Sequence, residues 1–307
     1  MQIFQDTNFD FIGKQKITIG LSLILIVIGI VSIFFHKGLN YGIDFSGGTI
    51  VQVQFKTAVT AEDVRKALND PKLGTFMIQQ IGEEDSHEFM IRLPLTADTE
   101  IDDTPAAIIA GDLEQTFGKD FFEIRKTDVV GPTMGEELKK SAKLSILWAL
   151  LAILVYITFR FELQYAIGAV TALIHDVVII VGAFSLMNRE FNLPVVAALL
   201  TVVGYSLNDT IVIYDRIREN RKLHPRKKLA EIMNLSINQT LSRTILTSLT
   251  TLFVVLALYF FGGAVINDFA FAMLFGVVFG TYSSIFIASP IVLGWSKLIS
   301  PRAPKRK

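Results

Sequence analysis

Asp209 is the residue whose surroundings most need explaining. It lies in the stretch 204–220, GYSLNDTIVIYDRIREN, and read backwards from Tyr214 the chain continues as LPVVAALLTVVGYSLNDTIVIY. At about 1.5 Å per residue that run is long enough to cross a roughly 30 Å hydrocarbon layer as a helix. The helical rise puts Asp209 about 8 Å from the middle of the span. A carboxylate at the centre of a span costs about 2.5 to 3.5 kcal/mol to insert, so it faces a bundle interior or a water-filled cavity. Two readings follow: an acid that takes up and releases a proton, or an acid hydrogen-bonded between helices. Tyr205 and Ser206 share its helix face and Asn208 adjoins it, which puts hydroxyl and amide partners within reach.

Other polar residues interrupt the apolar runs. His175 and Asp176 sit in the middle of another run, about 100° apart around the axis, which points them in different directions. A proton relay and ordinary packing fit this dipeptide equally: Asp176 accepts from a neighbouring helix, and His175 bonds Thr171 one turn away. Arg243 heads a stripe of Thr244, Thr247, Ser248 and Thr251 that suits helix contact or a hydrated path. Arg243 is either a partner that holds Asp209 ionised or an anchor at the membrane surface. Asp268 opens the last apolar run, where a carboxylate complements a helix N-terminus. Gly276, Gly280, Ser284 and Ala288 form a ridge of small residues for close helix packing.

The elements that carry these residues are six apolar spans, at 17–35, 144–159, 163–187, 193–214, 244–261 and 269–294. The chain is 51% hydrophobic and 19% charged, with mean hydropathy +0.48, which is too apolar for an ordinary soluble domain. The run at 17–35 is longer than a signal-peptide core and lacks a small-residue cleavage site, so it reads as an uncleaved anchor. Net charge is zero, so the total suggests no nucleic-acid partner; there is no cysteine and only four histidines. No cofactor and no metal site are expected.

Residues 36–139 differ in kind. Strand patterns at 49–55, 75–81, 87–93 and 121–126 alternate with helical runs at 60–69 and 104–117, capped by Thr60 and Thr104. The order βαββαβ predicts an α+β, ferredoxin-like domain, with a turn at 82–86 and a linker at 131–132. The stretch 42–49, GIDFSGGT, lacks the lysine of a phosphate loop and precedes a strand, so it reads as a turn. Lys and Arg concentrate in 1–16, 215–243 and 295–307, which six spans place on one side, the cytoplasmic one. Lys139, Lys140 and Lys143 lie on the other side, after a long translocated domain where the rule is weak. Within 215–243, Leu229, Ile232, Met233, Ser236 and Ile237 share a face, which predicts an interfacial helix lying on the membrane.

Five stretches together carry a resemblance: YGIDFSGGT at 41–49, ALIHDVVI at 172–179, GYSLNDTIVIYDRIREN at 204–220, SRTILTSLTTL at 242–252 and GTYSSIFIASP at 280–290. With the order of span, outer domain and five spans, they make nearly the whole chain similar to the SecF members of the SecD/SecF family, within the resistance-nodulation-division (RND) superfamily. The resemblance implies a polytopic α-helical protein of the bacterial cytoplasmic (inner) membrane, with six transmembrane helices forming an RND-like half, an extracytoplasmic domain and both termini cytoplasmic. It implies a non-enzymatic role in Sec protein export: pairing with SecD, association with the SecYEG channel and YajC, and use of the proton motive force to promote translocation of a preprotein. By position in the motifs, Asp209 and Arg243 carry the proton work, with Asp268 a third candidate. Two other classes are weighed against this. One is a self-contained RND-type exporter of small apolar molecules; the other, an intramembrane serine hydrolase, lacks a nucleophile elbow.

Overall fold

The computed structural model describes residues 7–74, 76–81, 87–94 and 105–299. Expectations that fall on residues 1–6, Thr75, 82–86, Thr104 and 300–307 lie outside the described residues. Helix α1 (Gln15–Phe35) is followed by a single turn, α2 (Ile43–Ser46), and then by β1 (Gly48–Phe55), α3 (Ala61–Ala67), β2 (Met77–Ile81), β3 (Glu88–Pro94), α4 (Pro105–Phe117) and β4 (Phe122–Val130). The long helices are α5 (Pro132–Arg160), α6 (Leu163–Leu186), α7 (Leu193–Leu223), α8 (Leu229–Phe261), α9 (Gly263–Ser283) and α10 (Ser289–Ile299), the last two joined by a π-helical turn at Ser284–Ala288.

Six helices are long and apolar enough to span a membrane: Gln15–Phe35, Thr133–Arg160, Leu163–Leu186, Leu193–Leu223, Leu229–Phe261 and Ile266–Leu298. They are not equivalent. The third, fourth and sixth are 61%, 50% and 61% buried, whereas the first, second and fifth are 17%, 6% and 11% buried. The core of the bundle is therefore α6, α7 and α9 with α10, and the other three lie outside it. Lipid offers no hydrophobic drive for helix association, so close approach through small residues and polar contacts does this work. α1 meets α6 where Gly29 and Gly182 touch: a Cβ on either would stand 2.9 Å from the other's Cα. One turn on, Ser32 Oγ and Ser185 Oγ are 2.9 Å apart.

The four strands form one antiparallel sheet of order β2-β3-β1-β4, the arrangement of a ferredoxin-like βαββαβ unit. Alternation explains its two faces. Val51, Val53, Phe55, Phe89, Ile91 and Leu93 point to one side and are covered by Val64 and Ala67 of α3 and Ile109 and Leu113 of α4. Thr60 caps α3: its hydroxyl accepts from Asp63 N at 3.2 Å, and the Asp63 carboxylate accepts from Thr60 N at 3.1 Å. The Thr60 hydroxyl also donates to Asp63 Oδ2 at 2.6 Å, and this bond, with that from Thr60 N, holds the exposed Asp63 carboxyl below its ordinary 3.8. The stretch 42–49 is a turn with a reason for its glycines. Gly47 and Gly48 have φ of 76° and 146°, and the bare Gly135 of α5 lets that helix pass close to Phe45 O and Gly47 N.

Two expectations are corrected. The stretch after Gly131 is not a linker, because Gly131 is the N-cap of α5 and Pro132 its first residue, where a missing N–H does no harm. Nor does 215–243 form a loop with a separate interfacial helix. α7 runs on to Leu223, residues 224–228 connect, and α8 is continuous from Leu229 through the span. Its apolar face meets protein instead of lipid headgroups: Ile232, Met233 and Ile237 are buried against α6, α7 and the last span.

Candidate functional site

Two buried carboxylates stand in the core of the bundle. α7 turns Ser206, Asp209, Thr210 and Ile213 inward, and Asp209 is 3% exposed. Its Oδ2 has no hydrogen-bond partner among the described residues. The groups that act on its carboxylate come from α8: the charge of Arg243 and the hydroxyl of Ser248. Ser248 Oγ is also 2.6 Å from Thr281 Oγ1 on α9. Arg243 itself is exposed and lines an open cavity of about 540 Å³ with Asn208, Asp215, Arg216 and Glu219. A buried acid thus stands near a cation that borders an open, polar cavity.

The partners expected for Asp209 on its own helix lie elsewhere. Tyr205 donates to Thr247 O at 3.3 Å, tying α7 to α8. Thr247 Oγ1 turns back to Arg243 O at 3.0 Å. Ser206 donates to Asp176, and Asn208 is exposed.

Asp176 on α6 is 1% exposed and well supplied with partners. Its Oδ2 accepts from Ser206 Oγ of α7 at 2.7 Å and Ser283 Oγ of α9 at 2.8 Å, and its Oδ1 lies 3.0 Å from His175 Nδ1. The expectation that His175 and Asp176 diverge is corrected, since the two side chains fold together. Thr171 is not the histidine's partner either, because it donates to Ile167 O at 2.7 Å. The His175 ring stacks on Tyr282 at 6.1 Å between centroids. Tyr282 in turn donates to Thr18 O at 2.7 Å and accepts from Ser22 at 3.0 Å, so the cluster reaches α1. One carboxylate therefore joins the three core helices, and a π-helical turn begins one residue after Ser283. Such turns recur at functional sites because they let a helix shift register locally.

Gly276 and Gly280 explain how α9 lies so close to α7. A Cβ on Gly276 would be 2.0 Å from Val202 Cγ2, and one on Gly280 would be 2.9 Å from Ser206 Cβ. Ser284 and Ala288 are fully buried in the π-helical turn, where Ser284 Oγ donates to Thr281 O at 2.9 Å.

Asp268 is not brought to either acid, and it does not cap a helix. α9 starts at Gly263, and the Asp268 carboxylate accepts from Arg189 Nε at 2.9 Å and Asn192 Nδ2 at 3.3 Å, in the turn between α6 and α7. Beside it Glu190 pairs with Arg92 on the open face of the sheet, and Asp44 accepts from Leu193 N at 2.9 Å. Burial lowers the Arg92 guanidinium from its usual range, opposed by the charges of Asp268 and Asp44. Asp268 thus belongs to an ionic seat on which the sheet domain rests.

Sequence reasoning missed Ser283, Arg189, Glu190 and Arg92. Ser283 is the one with a visible signal, a serine pair inside an apolar run; the others are charged residues of a turn and a strand. Among the described residues, no three His, Asp or Glu side chains converge as a metal site. One further feature concerns the surface. Thr201 and Asn208 on α7 are exposed, as are Arg243 and Thr250 on α8, which puts polar groups on the surface of two spanning helices.

Comparison with known proteins agrees with this architecture. Residues 110–298 match the family model described as protein export membrane protein SecD/SecF, C-terminal, and residues 32–59 match the SecD/SecF GG motif. The protein translocase subunit SecF of Magnetococcus marinus is 51% identical over 95% of this chain and 94% of its own length. That of Calditerrivibrio nitroreducens is 47% identical over 94% of this chain and 95% of its own. The crystal structure of SecDF, a translocon-associated membrane protein from Thermus thermophilus, superposes with a TM-score of 0.79 at 40% identity, covering 95% of this chain. This chain spans 39% of that longer one. With matches across nearly its whole length and at this identity, the chain belongs to the SecD/SecF family of protein-export membrane proteins.

Proposed function

We propose that the chain is the SecF-type half of a proton-driven protein-export machine. Its relatives are named translocase subunits, and the role proposed is transport without catalysis. The observation that carries the reading is Asp209, a buried acid with one oxygen unpartnered among the described residues, acted on by an arginine that borders an open cavity. Such an acid can exchange its ion partner for a proton. Moving one charge through 100 mV is worth about 2.3 kcal/mol, which biases a conformational equilibrium roughly fifty-fold. The ionic seat at Arg92 and Glu190 links the bundle to the sheet domain, so a shift of α7 against α9 moves the surface on which that domain rests.

Pairing with a SecD-type half is supported by the exposed polar groups of Thr201, Asn208, Arg243 and Thr250. Polar and charged groups on spanning helices face protein or water, not hydrocarbon. A second bundle over these groups encloses the Arg243 side of the site. Association of the pair with SecYEG and YajC, and action on a translocating preprotein, complete the reading. The basic segments support a topology with both ends of the chain in the cytoplasm and the sheet domain outside the inner membrane.

Asp209→Asn tests the proposal, since it keeps shape and removes the titrating group. In cells whose own copy is replaced, the variant is expected to insert and pair normally while preprotein export falls to the level of cells lacking the chain. Export at the normal rate contradicts the proposal.

A further inference from the structure

At the end of the bundle where α6 begins, α7 ends, α8 begins and α10 ends, the helices leave an open groove of about 860 Å³. Its walls are of two kinds. Leu163, Leu229 and Trp295 supply an apolar side, and Arg221 and Lys227 supply cations. The lining acid is Glu162, whose Oε1 is 3.9 Å from Arg221 Nη1, at the outer limit of an ion pair between half-exposed groups. Lys227 has no ion pair among the described residues, and net positive charge remains in the groove.

The level of the groove matters as much as its lining. Leu163 opens the apolar run of α6, Glu162 just before it lies 3.9 Å from Arg221, and Trp295 is within a turn of the end of Ile266–Leu298. The groove therefore sits where hydrocarbon gives way to headgroups, the depth that tryptophan favours. A soluble anion would use the cations and leave the apolar wall in water. An amphiphile with a negative head satisfies both walls at once, and basic pockets between spanning helices at this depth suit anionic headgroups.

We infer that this groove is a binding site for an anionic phospholipid, with its phosphate at Arg221 and Lys227 and its acyl chain along Leu163, Leu229 and Trp295. The site lies apart from Asp209 and Asp176 and does not depend on the export reading.

The test uses the full chain in neutral detergent, incubated with dioleoylphosphatidylglycerol or dioleoylphosphatidylcholine and examined by native mass spectrometry. The wild type is expected to retain one phosphatidylglycerol and not phosphatidylcholine. R221Q/K227Q should weaken retention about tenfold or more. R226Q/K228Q removes the same charge from the same connection outside the groove and should change retention by less than about twofold. R221K/K227R, which keeps both charges, should retain the lipid, and an unchanged thermal unfolding of R221Q/K227Q separates its loss from misfolding. Equal loss in R226Q/K228Q, equal retention of phosphatidylcholine, or full displacement by excess inorganic phosphate each overturns the assignment.

Discussion

Asp176 and Asp209 are alike in burial and opposite in company. The first is 1% exposed and holds Ser206, Ser283 and His175; the second is 3% exposed and has one oxygen without a hydrogen bond among the described residues. In a low-dielectric interior, a carboxylate with three partners from three helices fixes those helices, and moving any of them strands a donor. A carboxylate with an incomplete shell, near one exposed cation, can exchange partners with little loss. The difference teaches that burial alone does not mark a working acid. On the proposed reading, what marks it is an unfinished set of partners beside a route to water.

The comparison breaks most visibly if the wrong acid proves structural. Asp176→Ala should destabilise the bundle by about 2 to 5 kcal/mol, because each donor left without an acceptor costs about 1 to 3 kcal/mol. Asp209→Asn should change unfolding by less than about 1 kcal/mol. Thermal unfolding of both variants in detergent checks this, and equal losses would erase the distinction. A smaller effect sharpens it. Gly280→Ala presses a methyl group against Ser206 Cβ, which draws Ser206 away from Asp176 and should cost about 1 to 3 kcal/mol. Added to Asp176→Ala, the same change should cost less, since the bond it disturbs is already gone; a double-mutant cycle reads the difference.

The smallest effect lies in the sheet domain, far in sequence from both acids. Thr60→Ala removes the cap of α3 and should lower the stability of that domain by roughly 0.5 to 2 kcal/mol. Asp63 is held below its ordinary 3.8 by Thr60, so its contribution is present above that value and fades as pH falls through the lower folded value. The gap between wild type and Thr60→Ala, followed by hydrogen exchange of α3, should therefore close in acid. A gap independent of pH would show that the carboxylate takes no part in the cap.

How legible each part was in the sequence follows from how local its cause is. The apolar runs announce the spans, because crossing hydrocarbon demands length and composition that nothing else requires. Strand alternation and the Thr60–Asp63 box announce the βαββαβ order for the same reason. The continuity of α8 was hidden, since Leu229, Ile232, Met233 and Ile237 make the same apolar face whether lipid headgroups or other helices cover it. Asp209 and Asp176 stood out as charges in apolar runs, but their partners did not. Ser206 shares a helix with Asp209 and serves Asp176, a choice made by how α6, α7 and α9 lie together. Arg189 and Asp268 meet across a long stretch of chain, so neither carries a local sign of the other.

The most direct measurement is the infrared difference spectrum between proton-poor and proton-rich states of membranes holding the chain with its partner half. A protonated carboxyl band should appear in the wild type and in Asp176→Asn, and vanish in Asp209→Asn. A band that survives Asp209→Asn and disappears in Asp176→Asn would contradict the account.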